Sequence, residues 1–396
     1  TRDEQHLTRG RANTLRLTLS GQLGPDAFTS PAVYEAMNLC VSCKGCRREC
    51  PTGVDMARMK IEFLAHYKAR HGHTPMDTMV ARLPDYARAA SRVPWLMNLR
   101  DELPGAAWLS ERLLGLSSRR RLPRWRRDIF WRRADGGLFA SREDTMTTAA
   151  GGGKAAVLFV DTFNGTFERE NALAAARVLR AAGYTLHAPG GDGGHLCCGR
   201  TFLAAGMVEA AKSKLGALIA GLAPFARAGI AIVGLEPACL LTLRDEALVM
   251  GLGEDARDVA GHAVLFEEFV AREARAGRFA LELEAAGAPI LVHGHCHQKA
   301  FDACGCVLDV LRLIPGAKPE LIESSCCGMA GAFGYESGHY EVSMRMAEAS
   351  LLPAVRQRPE AIVVADGSSC RQQIAHGARR EALHAARVLE RHLPRA

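Results

Sequence analysis

The stretches "GGHLCCGRTFLAAG" (193–206) and "ESSCCGMAGAFGYE" (323–336) are two versions of one segment, and their recurrence organises the chain. Cys198 and Cys327 stand 129 positions apart, and Cys239 and Cys370 stand 131 apart, in "AIVGLEPACLLTL" and "AIVVADGSSCRQQI". Upstream of each, "AAVLFVDTFNGTFE" parallels "APILVHGHCHQKAF". A nearly constant offset across three segments is the mark of a duplicated structural unit. Between the cysteines, short apolar runs alternate with helical stretches, which predicts α/β architecture. The expected strands are "AAVLFV", "YTLHAP", "GIAIVGL", "PILVHG", "ELIES" and "AIVVAD". Each copy then carries a cysteine pair after its second strand and one more cysteine after its third.

Residues ahead of the repeats read differently. Residues 1–72 are predicted helical, with "CVSCKGCRREC" (40–50) between two helical segments and Pro51 behind it. Residues 73–153 contain Pro-punctuated helical pieces and then "RADGGLFASREDTMTTAAGGGK", whose Gly, Ala, Ser and Thr lack periodicity and predict a flexible linker. The repeats are expected to occupy 154–285 and 286–396.

Composition narrows the function. With 48% hydrophobic and 23% charged residues, and no run long enough to span a bilayer, an integral membrane protein is not expected. The N-terminus lacks an apolar signal core, so the expected location is the cytoplasm. The chain opens on Thr1, which suggests a piece of something longer. Thirteen cysteines without an export signal point to metal binding more than to disulfides. The net charge of +7 gathers in "SSRRRLPRWRRDIFWRR" (117–133), read as solvated arginines around a helical hairpin, as a face for a partner or anionic membrane, or, least of the three, as a nucleic-acid contact.

Cys40, Cys43, Cys46 and Cys50 follow the C-x2-C-x2-C-x3-C-P spacing of a bacterial [4Fe-4S] site, whereas structural zinc usually takes two separated pairs. In two-cluster ferredoxins the last cysteine serves the other cluster, so Cys50 either closes this cluster or serves a motif upstream of Thr1. In the second repeat Cys296, Cys326, Cys327 and Cys370 form a plausible full ligand set, with His293, His295 and His297 as supporting donors or loop caps. Adjacent thiolates suit a multi-iron site better than one tetrahedral ion. Gly199 and Gly328 would let backbone approach metal or sulfide and offer an N–H to sulfur. The first repeat supplies only Cys197, Cys198 and Cys239, with Phe163 or Asn164 where the other copy has Cys296. His195 could add a nitrogen ligand, as zinc sites allow. Cys304 and Cys306 lie on a helical pattern and read as core.

These motifs resemble the cysteine-rich CCG domain of heterodisulfide reductase-like proteins, preceded by a ferredoxin-like module. They are similar to the iron-sulfur subunits of glycolate oxidase and anaerobic glycerol-3-phosphate dehydrogenase. "CVSCKGCRRECPTGVDMARMKIEFL", "HGHCHQKA" and "SSCCGMAGAFGYE" resemble more closely the C-terminal half of fused FAD-linked oxidases of the D-2-hydroxyglutarate or D-lactate dehydrogenase type. The resemblance implies a helical ferredoxin-like module followed by two repeated α/β CCG domains. It also implies an FAD-binding half upstream or in a partner, and a missing first motif whose cluster Cys50 would serve. Electrons would pass from FAD to quinone or another carrier, with peripheral contact at the inner face of the membrane. Two other readings stand beside it: a thiol or disulfide reductase with a substrate pocket over Cys326 and Cys327, and a zinc-stabilised binding protein without redox role.

Overall fold

A computed structural model describes residues 3–132, 137–190 and 196–394. Two four-stranded sheets dominate it. The first contains β1 (Ala155–Phe159), β2 (Thr185–His187), β3 (Ala231–Gly234) and β4 (Ala263–Leu265), in the order β2-β1-β3-β4. The second contains β5 (Ile290–Val292), β6 (Pro319–Leu321), β7 (Ile362–Val364) and β8 (Ala382–Leu383), in the order β6-β5-β7-β8. Every pairing is parallel. Parallel strands need helical crossovers that cover both faces, which explains why the central runs, such as "AVLF" in β1, are apolar on both sides and fully buried.

One apolar core is common to the two sheets. Ala156 and Leu158 of β1 and Ile290 and Val292 of β5 belong to the same buried cluster, closed by the helices Arg169–Ala181 and Ala385–Arg391. The opposite face of β1 packs Val157 and Phe159 against Leu215, Leu218 and Phe225 of the helix Val208–Arg227. An ion pair and a hydrogen bond reinforce the junction: Glu168 pairs with Arg371 at 2.6 Å, and Glu236 accepts the Ser368 N–H at 2.8 Å.

Six expected strands lie where the apolar runs placed them, and the structure adds β4 and β8. β4 is three residues long and abuts a helix at each end, so helical periodicity masked it, and β8 has only two residues, too few for a strand pattern. The linker is corrected. Residues Arg142–Ala150 form an α-helix whose N-cap Ser141 accepts the Asp144 N–H at 3.0 Å, with Glu143 and Asp144 in the first turn. Capping and end charges replace apolar periodicity there. The arginine-rich stretch is also corrected: residues 118–129 are irregular, and Arg120 is 1% exposed, with one amino group on Ser343 Oγ at 2.8 Å. Arg133 lies outside the described residues.

Ahead of the sheets, the helices Thr8–Leu19, Pro31–Asn38 and Met56–His71 surround a small core of Leu15, Val33, Met37, Met56 and Phe63. Four short helices follow, Pro75–Ala81, Leu83–Ala90, Pro94–Glu102 and Ala106–Leu114, three of them with Pro in the first turn, where its missing N–H costs nothing. Among the described residues no helix is long and apolar enough to cross a membrane.

Candidate functional site

In open parallel sheets, the loops leaving the carboxyl ends of the strands collect at one edge. Cys296 follows β5 as the first residue of the helix Cys296–Ala300, Cys326 and Cys327 follow β6, and Cys370 follows β7 on the helix Ser368–Ala378. The structure brings these four together. Cys296 and Cys326 sulfurs are 3.6 Å apart, and His293, Cys327 and Cys370 place ligand atoms within 4.8 Å of one another, all buried. Hydrogen bonds from Cys326 and Cys370 hold Cys327 well below the ordinary thiol range, while contacts with Cys296 and Cys327 and then burial push Cys326 well above it, and the Cys327 contact and burial do the same to Cys370.

The three histidines divide their tasks. His293 Nδ1 engages Ser324 Oγ at 2.9 Å, leaving a buried Nε2 without a hydrogen-bond partner. His295 caps the Cys296 helix, its Nδ1 accepting the His297 N–H at 3.2 Å. His297 Nε2 donates to the Ser42 carbonyl at 3.1 Å, which ties this loop to the N-terminal motif.

Cys197, Cys198 and Cys239 make a parallel arrangement, with Cys198 hydrogen bonded to both of the others and all three buried. The position equivalent to Cys296 is neither Phe163 nor Asn164. Thr162 begins the helix Thr162–Thr166 just as Cys296 begins its own, and its hydroxyl hydrogen bonds to Cys197 as Cys296 approaches Cys326. The first site thus holds three thiols and a hydroxyl. No thiol is favoured as thiolate there: although Cys198 hydrogen bonds to it, burial and the Asp161 and Glu236 carboxyls push Cys239 up to about 12. His195 lies outside the described residues.

Both glycines that follow the cysteine pairs have left-handed backbone, φ +74° at Gly199 and +83° at Gly328, and each N–H donates to the first sulfur of its pair at 3.3 Å. The space a side chain would need is filled by protein. A Cβ on Gly328 would lie 2.3 Å from the Ser343 carbonyl oxygen, and one on Gly199 2.7 Å from that of Ala211. Gly328→Ala is therefore expected to lower stability by about 3 kcal/mol or more, read as a fall in urea midpoint at unchanged slope.

In the N-terminal motif, Ser42 and Lys44 adopt left-handed φ of 50° and 60°, which coils the loop tightly around Cys43. Cys40, Cys43 and Cys46 all act on the Arg11 guanidinium, which anchors on the Ala36 carbonyl at 2.9 Å. The Met56 N–H donates to Cys46 sulfur at 3.3 Å, and burial pushes Cys43 up to about 11. Cys50, in contrast, is engaged in its own turn, 3.1 Å from Thr52 Oγ1, where that hydroxyl and nearby N–H groups lower its thiol. Lys44, a residue the cysteine spacing gave no reason to notice, is 2% exposed and pairs with Asp245, Glu246 and Asp55. Cys304 and Cys306, expected in the core, are only half-buried.

The motifs converge. The Cys40–Cys46 loop sits on the Cys296 helix through the His297 contact, and Arg48 reaches the Lys299 carbonyl at 2.7 Å. Cys43 lies close enough to Cys296 that a charge on Cys296 opposes ionisation of Cys43. A cavity of about 500 Å³ lies among them, touching Cys40, Cys43, Cys239, Cys296 and Cys327. The residues present fit a thiolate-bound metal or iron-sulfur group: grouped soft donors, N–H groups directed at sulfur, and a buried imidazole nitrogen without a partner.

Residues 290–375 match the CCG cysteine-rich domain, a span that contains all four cysteines of the second site. D-2-hydroxyglutarate dehydrogenase of Escherichia coli is 26% identical over 352 residues, covering 87% of this chain and 33% of that protein. The Pseudomonas putida protein of the same name is 25% identical over 98% of this chain and 40% of its own length. One subunit of the anaerobic glycerol-3-phosphate dehydrogenase of Escherichia coli is 26% identical over 179 residues, 45% of this chain and 44% of that one. The chain thus spans about a third of the length of the Escherichia coli D-2-hydroxyglutarate dehydrogenase. The second thiol site thus lies within the span that matches the CCG cysteine-rich domain, and the chain around it is similar to the dehydrogenase proteins named above.

Proposed function

We propose that this chain is the iron-sulfur, electron-transferring section of a flavin-dependent 2-hydroxy acid dehydrogenase, taking electrons from FAD held outside it and passing them to a quinone or another carrier. The observation that carries this reading is the seating of the Cys40–Cys46 loop on the helix that begins with Cys296, which makes neighbours of two thiol sites 256 positions apart when counted from Cys40 to Cys296. Iron-sulfur groups bound at such sites supply one-electron transfer at potentials set by ligands, N–H···S bonds and burial. The protein's share is to hold the thiols together, exclude water from Cys327 and Cys370, and direct the N–H groups of Met56 and Gly328 at sulfur. On this reading the two sheets are repeated CCG units, the helical N-terminal part is a ferredoxin-like [4Fe-4S] module, and Cys50 is free to serve a second cluster.

The cavity beside Cys296 and Cys327 also supports the reading as a thiol or disulfide reductase, which requires a pocket at that place. Anaerobic mixing separates the two. With the flavin-binding section present, D-2-hydroxyglutarate, D-lactate or glycolate is expected to bleach the flavin and then the visible absorption of this region. Turnover of a disulfide at the pocket, with no electron delivery from any hydroxy acid, would support the reductase instead.

A further inference from the structure

Among the described residues Arg120 is the largest side chain buried outright, at 1% exposure, and it enters no ion pair. Its Nε and Nη1 have no hydrogen-bond partner, and Nη2 alone is engaged, on Ser343 Oγ at 2.8 Å and on the Met344 sulfur at 3.4 Å. A guanidinium keeps its proton inside a protein, so this charge is permanent. Lys44, the other large buried cation, sits among three carboxylates. Taking a lone charge out of water is too costly to leave uncompensated, so Arg120 needs a negative partner of another kind.

The residues around it lead to the second thiol site. Ser343 is shared: its hydroxyl accepts from Arg120, and its carbonyl lies 2.3 Å from where a Cβ on Gly328 would stand and accepts the Gln373 amide N–H at 3.2 Å. Gly328 follows Cys327, and Gln373 lies one helical turn beyond Cys370. Tyr335, Tyr340 and Cys327 are the groups whose negative charge favours the guanidinium, and of these the cysteine is the one a bound metal group keeps ionised. Backbone contacts pin the arginine in place. The Ser117 N–H donates to the Tyr335 carbonyl at 2.7 Å, and Arg100 donates to the carbonyls of Ser117 and Arg120 at 2.6 and 2.9 Å. The first repeat lacks this arrangement, because the carbonyl that meets Gly199 belongs to Ala211, which has no hydroxyl to hold a guanidinium. We propose that Arg120 is the fixed counter-charge of the second thiol site, raising the reduction potential of the group held by Cys296, Cys326, Cys327 and Cys370; this rests on the iron-sulfur reading above. Reduction adds one electron there, so a cation buried beside the site favours the reduced form.

Redox titration with dithionite, followed by EPR on the anaerobically reconstituted full chain, tests this, the second-site signal being the one that Cys327→Ser removes. Arg120→Met and Arg120→Gln are each expected to disfavour reduction by about tenfold or more, a fall of about 59 mV for one electron. Arg120→Lys should keep most of the parent's value, and the signal from the Cys40–Cys46 loop should move in none of the three. Iron and sulfide per chain and the urea midpoint check that each variant is loaded and folded. A second-site potential unchanged in both neutral variants overturns the inference. So does an equal fall in the lysine variant, or loss of iron from all three, since either would mark a packing role. A parent without any reducible signal would instead remove the iron-sulfur reading, and this inference with it.

Discussion

Cys327→Ser is expected to slow reduction of the electron acceptor by about 100-fold or more while leaving flavin reduction by the hydroxy acid within about twofold, measured in the chain together with its flavin-binding section. Cys327 is 1% exposed, accepts hydrogen bonds from Cys326 and Cys370, and has His293 beside it. Serine keeps the volume but replaces a soft donor with a hard one, and its hydroxyl does not ionise near neutral pH. The expected split between the two rates distinguishes a loss of electron delivery from a loss of folding, because a misfolded section would disturb both. Cys306→Ser serves as the control, since Cys306 packs at the rim of the apolar core, away from the four-cysteine group. Equal acceptor turnover in the Cys327 variant and the parent would count against the proposed role of the second site.

Lys44→Met is expected to cost about 3–5 kcal/mol of stability, the range for leaving a buried charge uncompensated. The ammonium lies 2.8 Å from Glu246 and 3.6 Å from Asp55, with Asp245 also in contact, and its side chain is 1% exposed. Arg47, Arg58 and Arg200 share these acids but come from the rim and cannot fill the centre. The residue thus latches the cysteine loop to the helix Pro237–Arg244 and the turn after it. Burial alone would raise the Asp245 carboxyl, yet Lys44, Arg58 and Arg47 hold it below its ordinary range. A depressed folded value means that this part of the stability is present at neutral pH and is lost as pH falls through the carboxylate range. Adding Asp245→Asn to Lys44→Met should recover part of the loss, because it removes one of the stranded charges. Thermal and urea unfolding at pH 7 and pH 4 would show both effects, the cost of Lys44→Met shrinking at the lower pH.

The cysteine geometry was readable in sequence because each thiol sits at a fixed place relative to a strand end, and apolar runs such as "AAVLFV" and "AIVVAD" mark those ends unambiguously. What escaped was set by tertiary structure. Thr162 was missed because letter-by-letter alignment of the repeats follows the strands, whereas the ligand position is counted from the start of the following helix. Lys44 looked like a spacer between cysteines, since its partners lie 201 and 202 positions away. The helix Arg142–Ala150 carries no apolar stripe, and its signal lay in Ser141 and the acids of its first turn. In the arginine stretch, Arg120 reads as surface charge until the buried Ser343 hydroxyl comes into view. Trp95 and Trp108 escaped for the opposite reason: they have the composition of core, and only the packing of the described residues shows them 60% and 63% exposed.

Whether the thiol groups hold redox-active iron and sulfide decides the proposed function. Iron, zinc and acid-labile sulfide per chain, determined on anaerobically prepared protein with an EPR spectrum before and after dithionite, test it most directly. Iron and sulfide near four each or more are expected, about one cluster at the least, with a signal that appears or changes on reduction. Zinc without labile sulfide, in protein reconstituted alongside its flavin-binding section, would contradict it and leave a structural metal protein in its place.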